Sequence, residues 1–189
     1  MSAASAPFGL RAAYHPMGLD RAREYQMDPA YNVAIYKGSP CALVANLVNI
    51  AAAGANDWLG MFAGVTYIDS TGKPVLTNFW PGAQAGATNI QAWVYDDPNI
   101  VYEVQASGSV ATGNVGDQVN FDAGSIGSGN TTTGLSAAMA SSTLVGAGVQ
   151  GQLRIVDKGQ QPDNDWGDAF TILQVQNARS QYVANKVAL

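Results

Sequence analysis

Charge is what this sequence has least of. Only 12% of its 189 residues are Asp, Glu, Lys or Arg, about half the share of an ordinary soluble domain. A protein that diffuses alone normally carries more surface charge to stay in solution, so the shortage implies that other protein covers much of this surface. Basic residues are missing altogether between Lys73 and Arg154, a stretch that contains Asp96, Asp97, Glu103, Asp117 and Asp122. With a formal net charge of −5, the chain lacks the basic footprint that nucleic acid requires. The single cysteine, Cys41, excludes an internal disulfide and reads as a small buried hydrophobe. The single histidine, His15, lies beside Pro16, and no Ser or Cys occupies a nucleophile-elbow context, so nucleophilic catalysis has no candidate set. A phosphate loop, a dinucleotide fingerprint and zinc spacing are also missing. The longest apolar-looking run, residues 42–55, is interrupted by Asn46 and Asn49 and is too short to cross a bilayer. Residues 1–7 have neither the basic start nor the apolar run of a signal peptide. The expectation is synthesis in the cytoplasm without export, and no membrane partner.

What is present is alternation with a period of two. Ile90, Ala92 and Val94 fall on one face of a strand, and Gln91, Trp93 and Tyr95 on the other. After an acidic corner, Ile100, Tyr102 and Val104 alternate with Val101, Glu103 and Gln105, which is again strand periodicity. Pro98 has no N–H and pushes Asp97 away from helical dihedrals, so the first strand stops near Asp97. Adjacent Asp96 and Asp97 point to opposite faces, which favours turn hydrogen bonding over a paired acid and base. Further strands are predicted at residues 33–36, 42–44, 59–68, 75–80, 116–121, 152–156 and 169–176. Glycines inside 59–68 mark a bulge or a close backbone approach. Residues 46–55 and 135–139 each read as a strand or a helical turn. Strands punctuated by Gly, Pro, Asn and Asp, without a convincing helix, predict a mainly β domain, a single barrel or sandwich.

Residues 1–36 read differently. Arg11, Arg21, Arg23 and Lys37 place four of the nine basic residues in the first fifth of the chain, interleaved with Phe8, Tyr14, Tyr25, Tyr31 and Tyr36. No regular period persists, which predicts an extended arm rather than a helix or a regular strand. Disordered tails are poor in aromatic residues, so five rings mark an arm that docks on a partner. Deleting residues 1–30 is expected to leave every core strand in place. The domain then spans residues 37–189, with a Gly/Ser/Thr-rich excursion from one sheet at about residues 106–150. Edge strands without Lys or Arg to guard them invite a partner, and a closed homo-oligomer is an economical cover. The small-residue segment 134–150, with Leu135, Ala138, Met139 and Leu144, is the expected contact between copies.

Two further constellations carry chemistry. The run Pro162, Asp163, Asn164, Asp165, Trp166, Gly167, Asp168 offers several oxygens at calcium-like spacing but lacks the closing bidentate Glu. Turn chemistry is the reading, with no metal or cofactor expected. Trp58, Trp80, Trp93 and Trp166 serve as core or interface anchors, or as a sugar platform. The platform would make the chain a carbohydrate-binding module, or a glycan hydrolase acting through Asp96 or Glu103.

Three stretches together resemble the head decoration, or cement, proteins of tailed bacteriophages. The first is Phe8-Gly9-Leu10-Arg11 with the tyrosine-rich arm running into Ile35-Tyr36-Lys37-Gly38-Ser39-Pro40. The second runs from Gly60-Met61-Phe62-Ala63-Gly64-Val65-Thr66-Tyr67 through Trp80-Pro81-Gly82 to Asp96-Asp97-Pro98 and Glu103-Val104-Gln105. The third joins Leu153-Arg154-Ile155-Val156 to Pro162-Asp163-Asn164-Asp165-Trp166-Gly167-Asp168-Ala169. The resemblance implies a barrel or jelly-roll-like domain with an N-terminal arm, a non-enzymatic virion protein on the outer surface of the capsid. Its partner would be the major coat protein, contacted by Phe8, Arg11, Tyr14, Arg21, Arg23, Tyr25 and Tyr31. It would also assemble with itself, as a trimer in preference to a dimer. A tail-tube or minor head protein is the alternative within the virion.

Overall fold

The computed structural model describes residues 2–18, 21–54 and 56–183; positions 1, 19–20, 55 and 184–189 of the two divisions above lie outside them. The chain is mainly β, as expected. Among the described residues the one helix is a 3-10 turn at Thr112–Asn114. One sheet contains β1 (Arg11–Tyr14), β10 (Val101–Gln105), β11 (Gln118–Phe121), β14 (Ala140–Leu144), β15 (Leu153–Lys158) and β16 (Ile172–Asn177), in the order β1-β10-β16-β15-β11-β14. The other contains β2 (Ala22–Gln26), β4 (Pro40–Val44), β5 (Leu47–Ile50), β6 (Gly60–Ile68), β7 (Pro74–Thr77) and β9 (Thr88–Tyr95), in the order β2-β9-β6-β4-β5, with β7 also on β6. Two short ladders complete the set, β3 (Ile35–Tyr36) on β8 (Phe79–Trp80), and β12 (Gly129–Asn130) on β13 (Leu135–Ser136). All of these strand pairings are antiparallel. Among the described residues no closed barrel forms; the two large sheets are compatible with a sandwich.

The acidic corner is where the chain changes sheets. β9 ends at Tyr95 in the second sheet and β10 begins at Val101 in the first. Asp97 Oδ1 accepts the Asn99 N–H at 2.8 Å, the turn chemistry expected of an Asp at this position. The Tyr102 hydroxyl donates back across the corner to the Tyr95 carbonyl at 3.0 Å.

Two core clusters follow from this arrangement. Tyr102, Val104, Phe121, Leu153, Ile155 and Val175 of the first sheet gather with Ala42 and Met61 of the second. The opposite face of the second sheet, with Cys41, Val48, Phe62, Val65, Ile90, Ala92 and Val94, is covered by Ile35 and Trp80 of the small ladder and by Met27. The second sheet is thus buried on both faces, which is why Met61 and Phe62, adjacent in sequence, are both core. Cys41 is fully buried, and burial pushes its thiol pKa up. Gly60 lies against the backbone of Tyr95 with no space for a Cβ, and a register shift follows between Phe62 and Gly64.

The N-terminal segment differs from its expectation. Residues 11–14 and 22–26 are strands, on β10 and β9, one in each sheet. Before them, the Gln105 side chain accepts the Ala6 N–H at 2.9 Å and donates to the Ala4 carbonyl at 3.1 Å. Leu10 and Met27 are core residues. Deletion of residues 1–30 therefore removes an edge strand from both sheets, not a free arm. The segment 106–150 supplies to the first sheet both β11, where a strand was expected, and β14, where none was. Ala138, expected at a contact between copies, is 0% exposed within its own chain, so its methyl group has no surface to offer.

The connection between the sheets depends on Trp58 and Gln152, both fully buried. Trp58 meets Phe121 edge-on at 5.0 Å between ring centroids, and its indole N–H donates to the Gln152 carbonyl at 3.0 Å. The Gln152 amide donates to the carbonyls of Ala52 and Asn56 at 2.8 and 3.0 Å and accepts the Phe121 N–H at 3.2 Å. Gln152→Ala leaves the Phe121 N–H without this partner inside the core, while the carbonyls of exposed Ala52 and Asn56 can turn to water. With the space left by the side chain, the expected loss of stability is about 2 kcal/mol or more, read from the urea midpoint at unchanged slope. A loss below about 1 kcal/mol contradicts this role.

Candidate functional site

The residues expected to meet a partner divide into those the fold uses itself and those it displays. Tyr31 belongs to the first group. Its ring packs against the second core cluster, its hydroxyl accepts the Ile50 N–H at 3.0 Å, and its carbonyl accepts the Trp80 indole at 2.9 Å. Tyr25 packs against the same cluster, and its hydroxyl donates to buried Asp96 at 2.5 Å and meets the Tyr182 hydroxyl at 2.8 Å. Arg23 reaches the same carboxylate at 3.5 Å with its own side chain exposed. Tyr25 and Tyr31 are therefore internal supports rather than contact residues.

The displayed group sits on the turn between β1 and β2. Tyr14 is 47% exposed, Met17 is 81% exposed, and Arg21 is exposed. The turn is held at its base by His15, whose Nδ1 accepts the Met17 N–H at 3.1 Å while Nε2 faces Asp97 Oδ2 at 3.2 Å. Burial raises the Asp97 pKa, but the Asn99 N–H and the His15 ring outweigh it and leave the carboxyl below its ordinary value.

Phe8 and Arg11 lie nearby on a cleft of about 430 Å³. Its floor is Leu10, Ala12, Met61 and Tyr95, its walls include Phe8 and Leu135, and its rim carries Arg11 and Lys37. The backbone that shapes it is tightly constrained. Gly9 and Gly38 both have positive φ, +73° and +87°, and a Cβ on either would meet the other's segment at about 2.8 Å, a conformation and an approach that glycine tolerates. The Leu10 N–H donates to the Gly38 carbonyl at 2.8 Å. Arg11 lies over the Phe8 ring, 4.5 Å from its centroid, and 3.9 Å from Glu103. Glu103 also accepts the Gln161 side-chain amide at 3.0 Å. Lys37 has no ion pair among the described residues. Sequence reading named Phe8, Arg11 and Leu135 but not Lys37, Met61 or Tyr95 as a set. The legible signal was Lys37-Gly38, a lone cation beside a glycine at the end of an apolar run.

The remaining candidates have structural employment. Asn164, fully buried, bonds the Gly159 and Ile172 carbonyls and the Ile172 N–H at 2.8–2.9 Å. Asp168 accepts the Asp165 N–H at 2.8 Å and is contacted by the Ser2 hydroxyl. Asn164 and Asp168 thus bond backbone and side-chain groups of the fold itself. Among the described residues no group of three or more His, Cys, Asp or Glu is placed to hold a metal ion. Trp58 and Trp80 are 0% exposed, which removes them from any sugar platform and leaves Trp93 and Trp166 partly exposed. Asp96, in the corner after β9, and Glu103, on β10, are each bonded to their own partners. Of the four expected self-contact residues, Leu135 and Leu144 are 44% and 37% exposed, Met139 is half-buried, and Ala138 is core.

The tyrosine cluster generates a pH dependence. Burial, then the hydrogen bond to Asp96, then that to Tyr182 raise the Tyr25 pKa well above the ordinary tyrosine range. The folded state therefore holds this proton more tightly than the unfolded one, so the contribution is complete below about pH 10 and is lost as pH rises beyond it. Chemical denaturation at about pH 8 and about pH 11 is expected to show a steeper fall for the native sequence than for Tyr25→Phe. Equal falls contradict the assignment.

No family model matches this sequence, and no curated protein or solved structure is significantly similar to it.

Proposed function

We propose that this chain is a non-enzymatic structural protein of a tailed-phage virion, made in the host cytoplasm, that binds the outer surface of the capsid and joins neighbouring coat subunits. The observation that carries the reading is the N-terminal face. A chain poor in charge exposes Arg11, Tyr14, Met17 and Arg21 on one segment, and that segment is fastened to both sheets. Aromatic residues, Met and Arg are the side chains that protein interfaces favour. Among the described residues no helix is long and apolar enough to cross a membrane, and the charge balance argues against nucleic acid.

Self-association, as a trimer in preference to a dimer, stays part of the proposal, with a different patch. Leu144 lies on β14, the last strand of its sheet, where an unpaired edge can meet a copy. The buried Trp58 and Trp80 weaken the carbohydrate reading.

Tyr14→Ser combined with Met17→Ser tests the N-terminal face, because both side chains are exposed and neither supports the core. The expected result is a normally folded protein whose co-sedimentation with purified coat shells weakens about tenfold or more. Shell binding equal to that of the native sequence rules this face out as the contact.

A further inference from the structure

The cleft between the N-terminal segment and the β12–β13 ladder has a chemistry that its fold does not consume. Two of the nine basic residues, Arg11 and Lys37, line a cavity whose other walls are apolar or aromatic. Lys37 has no ion pair among the described residues. Arg11 is loosely held, 3.9 Å from Glu103 with its side chain 59% exposed, a geometry that contributes little to stability. Its aromatic neighbour Phe8 supports the guanidinium from one side without using its in-plane donors. If the guanidinium turns to a new carboxylate, Glu103 keeps the Gln161 amide and is not left bare. The walls are also tied together, since the Leu10 N–H donates to the Gly38 carbonyl at 2.8 Å.

We propose that this cleft captures an acidic peptide segment of a partner protein. A carboxylate side chain would lie between Arg11 and Lys37, and a neighbouring aliphatic or aromatic side chain would rest on Leu10, Met61 and Tyr95. Charge complementarity selects this occupant: an acidic chain of net charge −5 presents here a cation pair over an apolar floor, and the fork of Arg suits a carboxylate. Only the identification of the partner as coat protein rests on the function proposed above; the cleft's preference for acidic peptide does not.

The test uses the protein alone, so that it succeeds or fails separately from shell binding. A short end-blocked peptide with one central glutamate between two leucines is titrated into the isotope-labelled protein, and its glutamine twin serves as the control. Backbone amide resonances of Leu10, Arg11, Lys37 and Leu135 are expected to shift with the glutamate peptide, and about tenfold more weakly with the glutamine peptide. Lys37→Gln, at an exposed position, is expected to weaken the glutamate peptide by a similar factor, and Lys37→Arg to retain it. Absence of shifts, shifts elsewhere, or equal response to both peptides overturns the proposal. Concentration-dependent shifts of the same resonances without peptide overturn it in favour of a second copy of this chain as occupant. If shells bind through the N-terminal face but peptides do not, the cleft proposal alone fails. If peptides bind and shells do not, the virion reading alone fails.

Discussion

Burial of a single glutamine amide is the constraint on which the two-sheet arrangement depends. Gln152 precedes β15 in the first sheet and satisfies carbonyls in the 51–58 connection that leads from β5 to β6 in the second. Gln152 also takes the Trp58 indole N–H on its carbonyl and the Phe121 N–H on its side chain; unpaired, those two groups would oppose burial of Trp58, one of two fully buried tryptophans among the described residues, because a polar group removed from water without a partner costs more than a hydrogen bond returns. With them paired, Trp58 can stand between Tyr102 and Phe121 and fix the separation of the sheets. The C-terminal residues reinforce the same place. Arg179 and Gln181 exchange backbone hydrogen bonds with Trp58, the Gln181 side chain bonds Leu43 twice, and Arg179 reaches Asp57 at 2.7 Å.

The N-terminal segment has two duties in this account. It closes an edge of each sheet, and it carries the exposed residues assigned to a partner. A free arm would lose about 1–2 kcal/mol per residue on becoming ordered at a partner's surface. A segment already fixed by strands, by the Gln105 amide and by the Gly9–Gly38 approach avoids most of that cost on binding. Folding and the proposed attachment are therefore linked, and large N-terminal deletions would confuse the two. Point changes at exposed positions separate them.

How much was legible in the sequence follows from where each strand lies. β6, β9, β10, β11 and β16 carry apolar residues at alternate positions, or glycines at a close approach, and their periodicity is plain. β1 and β2, with Arg-Ala-Ala-Tyr and Ala-Arg-Glu-Tyr-Gln, are edge strands that bury few side chains, so no alternation marks them; backbone pairing to β10 and β9 makes them strands. β14, Ala-Ser-Ser-Thr-Leu, is silent for the same reason. Ala138 was expected at a contact between copies, but a methyl group suits core as well as surface, and the packing around it makes it core. The cleft was half legible: Phe8, Arg11 and Leu135 stood out, while Lys37, Met61 and Tyr95 come from distant parts of the chain and meet only through the register of both sheets. In the 162–168 loop the part played by buried Asn164 was not legible, because it depends on contacts with Gly159 and Ile172 outside the loop.

The proposed attachment to a phage capsid fixes where this protein sits on the particle. Electron cryomicroscopy of virus particles that carry this protein would test it most directly. The account predicts two-sheet density on the outside of the head, in copy numbers comparable to coat protein, with the β1–β2 turn and the Arg11–Lys37 cleft facing coat subunits. Heads without such density, or the protein located only in the tail, would contradict it.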